Sequence, residues 1–120
     1  MKKTLVFGAS LKPSRYSYIT IKRLVEANYE TEAFGLKEGI VNGVHIKTDC
    51  TSFRDIDTIT MYLGAARQKQ YYDAIIALRP KRVIFNPGAE NPEFYPLLEN
   101  EGIKAEVACT LVLLATDQYS

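Results

Sequence analysis

The chain has 120 residues, 47% hydrophobic and 24% charged, with a formal net charge of +1, a make-up that fits one soluble domain with a real core. Near-neutral charge excludes a global field that would recruit nucleic acid or an anionic membrane, so attraction for an anion has to be local. No apolar run approaches the roughly 20 residues of a membrane span, and Met1-Lys2-Lys3 lacks the apolar region and cleavage site of a signal peptide.

The first strand, Thr4 to Phe7, is a continuous apolar run suited to burial on both faces. It runs into Gly8-Ala9-Ser10, two cations (Lys12 and Arg15), and a helix beginning near Tyr16. Unpaired N–H groups at such a turn favour an anion, and the two side chains add full charges to that partial field. Tyr18, Ile21, Leu24 and Val25 fall on one helical face, and Asn28 tolerates the left-handed turn that ends a helix. The second strand is expected at Glu30 to Phe34. An irregular stretch follows from Gly35 to Arg54. Asn42-Gly43 lies between Ile40-Val41 and Val44-His45-Ile46, which fits a small hairpin, with a plain loop as the alternative.

The third strand is expected at Thr58 to Leu63. A helix led in by Ala65 and Ala66 turns Tyr72, Ile75, Ile76 and Leu78 inward and stops at Pro80. Arg82 to Phe85 reads as the fourth strand, and Asn86-Pro87-Gly88-Ala89-Glu90-Asn91 as a second strand-to-helix turn. Asn91 suits a helix cap, Pro92 the first helical position, and Phe94, Leu97 and Leu98 the inner face, with Gly102 closing. Lys104 to Ala108 is the fifth strand. Cys109 to Ala115 reads as a terminal helix, with a continued strand as the alternative. Strands alternating with helices imply an α/β fold: a Rossmann-like, parallel, five-stranded sheet with helices on both faces, formed by residues 1–120 as a single domain.

Ligands of such sheets sit outside the strand carboxyl ends, beside the first strand. Three segments meet there: Gly8 to Arg15, Leu63 to Arg67, and Asn86 to Asn91; Lys37 reaches the same rim. In the dinucleotide fingerprint G-x-G-x-x-G, this chain has Gly8, Ser10 and Pro13, so only the first glycine is kept. An NAD site places an acid after the second strand. Lys37 stands there instead and suits an extra phosphate, although a solvated surface lysine is the plainer reading. Tyr16 and Tyr18 open the first helix, where one ring can lie against the flat base of a nucleotide. Tyr71 and Tyr72 read as core residues with a wet tip.

Catalytic groups are scarce. His45 is the sole histidine and reads as a surface residue. Cys50 and Cys109 are distant, fit free thiols in a cytoplasmic protein, and make no zinc site with one histidine. Ser10 has no evident base partner. Glu90 and Glu93 suit a helix start.

Gly8-Ala9-Ser10, Lys12-Pro13-Ser14-Arg15 and Tyr18 resemble the first loop of the small bacterial CoA-binding domain family, itself similar to the nucleotide-binding domain of the succinyl-CoA synthetase α subunit. Gly43, Ser52-Phe53-Arg54-Asp55-Ile56, Asn86 to Asn91 and Glu101-Gly102-Ile103, with Cys109 after them, extend the resemblance along the chain. It implies coenzyme A, free or as acyl-CoA, with its diphosphate on Gly8, Ala9 and Ser10 and charge from Lys12, Arg15 and Lys37. The nucleoside would lie by Leu63, Gly64 and Ala65, and the pantetheine side by Asn86, Pro87 and Gly88. The family's Asn-Pro pair after strand two is replaced by Gly35-Leu36, and its frequent Arg after strand three by Leu63-Gly64-Ala65. NADP is therefore the alternative ligand. The leading expectation is a non-catalytic binding protein with a possible protein partner. An oxidoreductase fragment or partner-dependent transferase subunit is the alternative.

Overall fold

A computed structural model describes residues 2–120. The first strand, β1 (Lys3–Ala9), leads into α1 (Tyr16–Glu26), and β2 (Glu30–Gly35) follows. The chain then forms β3 (Gly39–Val41), β4 (Val44–Lys47) and β5 (Ile56–Met61). A helical run comprises α2 (Ala65–Gln68), a 3-10 turn (Lys69–Tyr71) and α3 (Tyr72–Leu78). Then come β6 (Arg82–Phe85), α4 (Phe94–Glu99), β7 (Lys104–Val107) and α5 (Thr110–Ala115).

These strands make one sheet in the order β3-β4-β2-β1-β5-β6-β7. Five of them are the expected parallel strands. The sheet has seven because the Asn42-Gly43 hairpin is formed, with φ of 50° and 80° at its two turn residues. That pair of positive φ values matches the right-handed twist of the flanking strands. β4 joins β2 in parallel, and β3 closes that edge antiparallel to β4.

Alternation along β1 divides the core. Leu5 and Phe7 enter a cluster with Ile59, Met61, Ile75, Phe85, Phe94 and Leu98, beneath α3 and α4. Val6 faces the other way, with Ile21 and Leu24 of α1 and the half-buried Leu113 and Leu114 of α5. Helices thus cover both faces, as the double apolar pattern of β1 requires. Truncating a fully buried ring such as Phe7 costs about 3–5 kcal/mol.

Several local expectations shift. β5 begins and ends two residues before the expected Thr58 to Leu63. Its ladder with β1 ends at Phe7 and Met61, and Leu63 turns beneath Gly8. The expected second helix is broken by the 3-10 turn, which directs Tyr71 at Phe7 and Phe34, with ring centroids 5.4 and 5.3 Å away. Helix α3 stops before Pro80 with Arg79 in the left-handed region. Asn91 does not cap α4 with its side chain; Glu93 stands at that position, because Gln68 and Tyr72 engage the Asn91 amide. Pro92 consequently precedes the helix instead of occupying its first position. Leu97 is exposed, since the inward line of this short helix passes through Phe94 and Leu98, one turn apart. Tyr95 packs on Phe85 instead, with ring centroids 4.8 Å apart. The tail folds back, burying Tyr119 against Tyr29 and the Arg82 guanidinium.

Candidate functional site

Chain order reverses around β1, and the crossing leaves a crevice at the carboxyl ends of β1, β2 and β5. Gly8 makes that crevice possible. It sits at φ +100° where β1 shifts register between Phe7 and Ala9, and a Cβ there would meet Leu63 at 3.1 Å. Gly35, at the end of β2, allows a second close approach: a Cβ would stand 2.5 Å from the Ala9 carbonyl oxygen. The two strand ends can therefore draw together and turn their following loops outward.

The result is an open cavity of about 930 Å³, at the upper end of the range for small-molecule sites. Of the expected site residues, Gly8, Ala9, Ser10, Lys12, Arg15, Tyr16, Lys37, Leu63, Gly64, Ala65 and Pro87 line it. Asn86 and Gly88 do not. Asn86 is buried; its Nδ2 donates to Thr60 Oγ1 and the Met61 carbonyl, and its Oδ1 accepts from the Thr110 N–H at 2.8 Å. Every polar atom of that side chain serves the fold. The Gly88 N–H donates to Glu90 Oε1 at 2.8 Å, so a carboxylate of the protein already occupies the second turn.

The loop after β1 is arranged otherwise. The Lys12 N–H donates to Ser10 Oγ at 3.1 Å, and the Arg15 N–H to the Lys12 carbonyl. The N–H groups of Ser10, Leu11 and Ser14 meet no acceptor among the described residues. The Ser10 hydroxyl keeps its own proton for donation. Around this loop stand Lys12, Arg15, Lys37 and Arg67. They are the only charged residues lining the cavity, all cationic, and none is ion-paired among the described residues. In a protein of net charge +1, this concentrates positive potential in one concave place.

Arg67 ends the rim segment Leu63 to Arg67 expected from the sequence but carries no binding role in that reading; it sits in α2, just after β5. Phe34, Leu36, Leu11, Tyr62 and Tyr71 also line the cavity and give it flat apolar wall. Tyr71 packs on the core as expected, against Phe7 and Phe34, and its exposed part also forms part of that wall. Tyr62 is largely buried, with its hydroxyl against that of Thr20 on α1. Burial pushes its phenol pKa up, against the opposing effect of the Thr20 bond, and so keeps the ring neutral.

Behind the cavity, the fully buried Gln68 joins two loops. Its Nε2 donates to the carbonyls of Leu63 and Ala89, both at 2.8 Å, and its Oε1 accepts from Asn91 Nδ2 at 2.9 Å. Asn91 Nδ2 also reaches the Tyr72 hydroxyl, which donates to Glu93 Oε2 at 3.0 Å. His45 lies far from this chemistry by function: it is an exposed residue of β4 opposite Glu38 at 3.6 Å. Cys50 and Cys109 are free and half-buried. No group of three or more potential metal ligands occurs among the described residues, and no described helix is long and apolar enough to cross a membrane.

A family model described as "CoA binding domain" matches residues 2–115. A crystal structure of an uncharacterized protein is 40% identical, with 98% of each chain covered and a TM-score of 0.94. A Thermus thermophilus protein called cell-free ID.343 is 20% identical over 98% of this chain and 90% of its own, with a TM-score of 0.87. A hypothetical protein from Pyrococcus horikoshii OT3 is 22% identical over 99% and 84%, with a TM-score of 0.86. The last two likenesses are of fold. No curated protein matches the chain.

Proposed function

The chain belongs to the CoA binding domain family, and from that premise we propose that it is a binding protein for coenzyme A or an acyl-CoA rather than a catalyst. One observation carries the reading: four cations without ion pairs and the unpartnered N–H groups of Ser10 and Leu11, among the described residues, share a single cavity that no acid lines. A ligand complementary to it has several negative charges and a flat apolar part. Coenzyme A has both, in a diphosphate, a phosphomonoester and an adenine.

In this reading Gly8, Ala9 and Ser10 meet the diphosphate through backbone N–H groups, with Lys12 and Arg15 beside it. Lys37 and Arg67 take the remaining phosphate. Leu63, Gly64 and Ala65 make room for the nucleoside, with Tyr16 available to lie on the ligand's surface. Pro87 flanks the uncharged pantetheine arm. Asn86 and Gly88 are left out, because their polar groups are already engaged. The lining supports a binding role: it holds cations, apolar side chains and hydroxyls, which suit holding an anionic ligand. The proposal includes a cytoplasmic location, which suits the two free thiols.

NADP is the second reading, favoured by Lys37 standing where an NAD site carries an acid. Thermal shift separates the two, because a ligand that prefers the folded state raises its melting temperature. Coenzyme A should stabilise more than dephospho-CoA and NAD. Stabilisation by NADP alone would replace the first reading with the second, and no shift with any nucleotide would remove both.

A further inference from the structure

Two loops frame the cavity on its β5–β6 side. Residues 62–67 supply Tyr62, Leu63 and Arg67 to the lining, and the turn after β6 supplies Pro87. The backbones of these loops are not linked by a sheet ladder there. Their link is Gln68, whose relative exposure is 0% and whose two amide protons go to one carbonyl in each loop. Asn91, itself buried, completes the amide from the second loop. A saturated buried amide of this kind fixes a distance, since losing any arm leaves a desolvated polar group behind.

We infer that Gln68 is a positioning residue that couples the two halves of the ligand site. Resting on the coenzyme A reading, occupation of the nucleoside side, at Leu63 to Arg67, orders the turn at Pro87 against which the uncharged arm lies. The adenosine and pantetheine ends are then bound cooperatively, with Gln68 touching neither. Asn86 ties the turn to Thr60 and Met61 at the end of β5, and beyond that point Gln68 spans Leu63 and Ala89, so this part of the coupling can be cut at Gln68.

The test uses coenzyme A and ADP, which carries the base and diphosphate without the arm. By calorimetry, Gln68→Met should lower the ratio of coenzyme A affinity to ADP affinity by about tenfold, the scale of one unsatisfied buried partner. General loosening of the fold, or of the nucleoside loop alone, lowers both affinities together, and an unchanged ratio overturns the inference. Should Gln68→Met fail to fold, amide exchange on the unmodified protein decides. ADP should slow exchange across residues 87–93 as well as 62–68, although it does not reach the former. Protection confined to residues 8–15 and 62–68 overturns the coupling. If neither ligand binds the unmodified protein, the coenzyme A reading fails first and the coupling with it.

Discussion

Reversing the charge at Arg15 probes the cationic cavity most directly. The Arg15 side chain is exposed, makes no ion pair, and adds no side-chain cap to α1, so the fold does not depend on it. Two unit charges 4 Å apart interact by about 1 kcal/mol in water and about 4 kcal/mol at an effective dielectric of 20. An open rim lies near the lower value. Removing the charge in Arg15→Gln should therefore cost about 1 kcal/mol of coenzyme A binding. Reversing it in Arg15→Glu should cost about 2 kcal/mol, roughly 30-fold in affinity. The unliganded protein should keep its stability to within about 0.5 kcal/mol, as exposed substitutions usually do. Titration calorimetry at low and high salt reads the effect, which should shrink as ions screen the rim. Lys22→Glu is the control, an exposed cation on the same helix that does not line the cavity. Equal losses for Arg15→Glu and Lys22→Glu, or no loss at Arg15, would refute the assignment of the cavity as the anion site.

Other consequences concern the frame. Gly35→Ala drives a Cβ against the Ala9 carbonyl; it should destabilise by about 1–3 kcal/mol in urea melts and weaken ligand binding as the strand ends part. A melt matching the unmodified protein would contradict that close approach. Asn86→Ala strands the buried groups that its side chain serves and should cost about 2–4 kcal/mol of stability, while the remaining folded fraction binds with unchanged affinity. A selective loss of affinity would return Asn86 to the binding site. Burial raises the phenol pKa of both Tyr62 and Tyr119 in the fold, with hydrogen bonds opposing. The unfolded chain therefore loses these protons first. Stability is full below about pH 10, the free phenol value, and falls as pH rises through the folded values. Melting temperatures flat through that alkaline range would exclude this, and Tyr119→Phe should blunt the fall.

The periodic segments were legible before any coordinates. β1 reads as buried on both faces because Leu5, Val6 and Phe7 leave it no polar side. Gly8, Asn28, Asn42-Gly43 and Gly102 announce backbone that only such residues adopt readily, and all of them have positive φ. The cationic loop after β1 was legible for the same reason, since its glycine, serine and cations are neighbours in sequence and the backbone alone brings them together.

What the sequence left undecided depended on partners distant along the chain. Asn86 and Asn91 have the residue types of a ligand contact and a helix cap. Only the fold brings Thr60, Thr110, Gln68 and Tyr72 to their amides, and a buried amide takes the partners it is offered because leaving them unmet costs more than any local preference returns. Tyr71 entered the cavity wall through the 3-10 turn that breaks the second helix, and Arg67 through the short α2 that precedes it. Local sequence thus determined which segments bend, extend or coil, whereas long-range packing decided which polar groups remained free to meet a ligand.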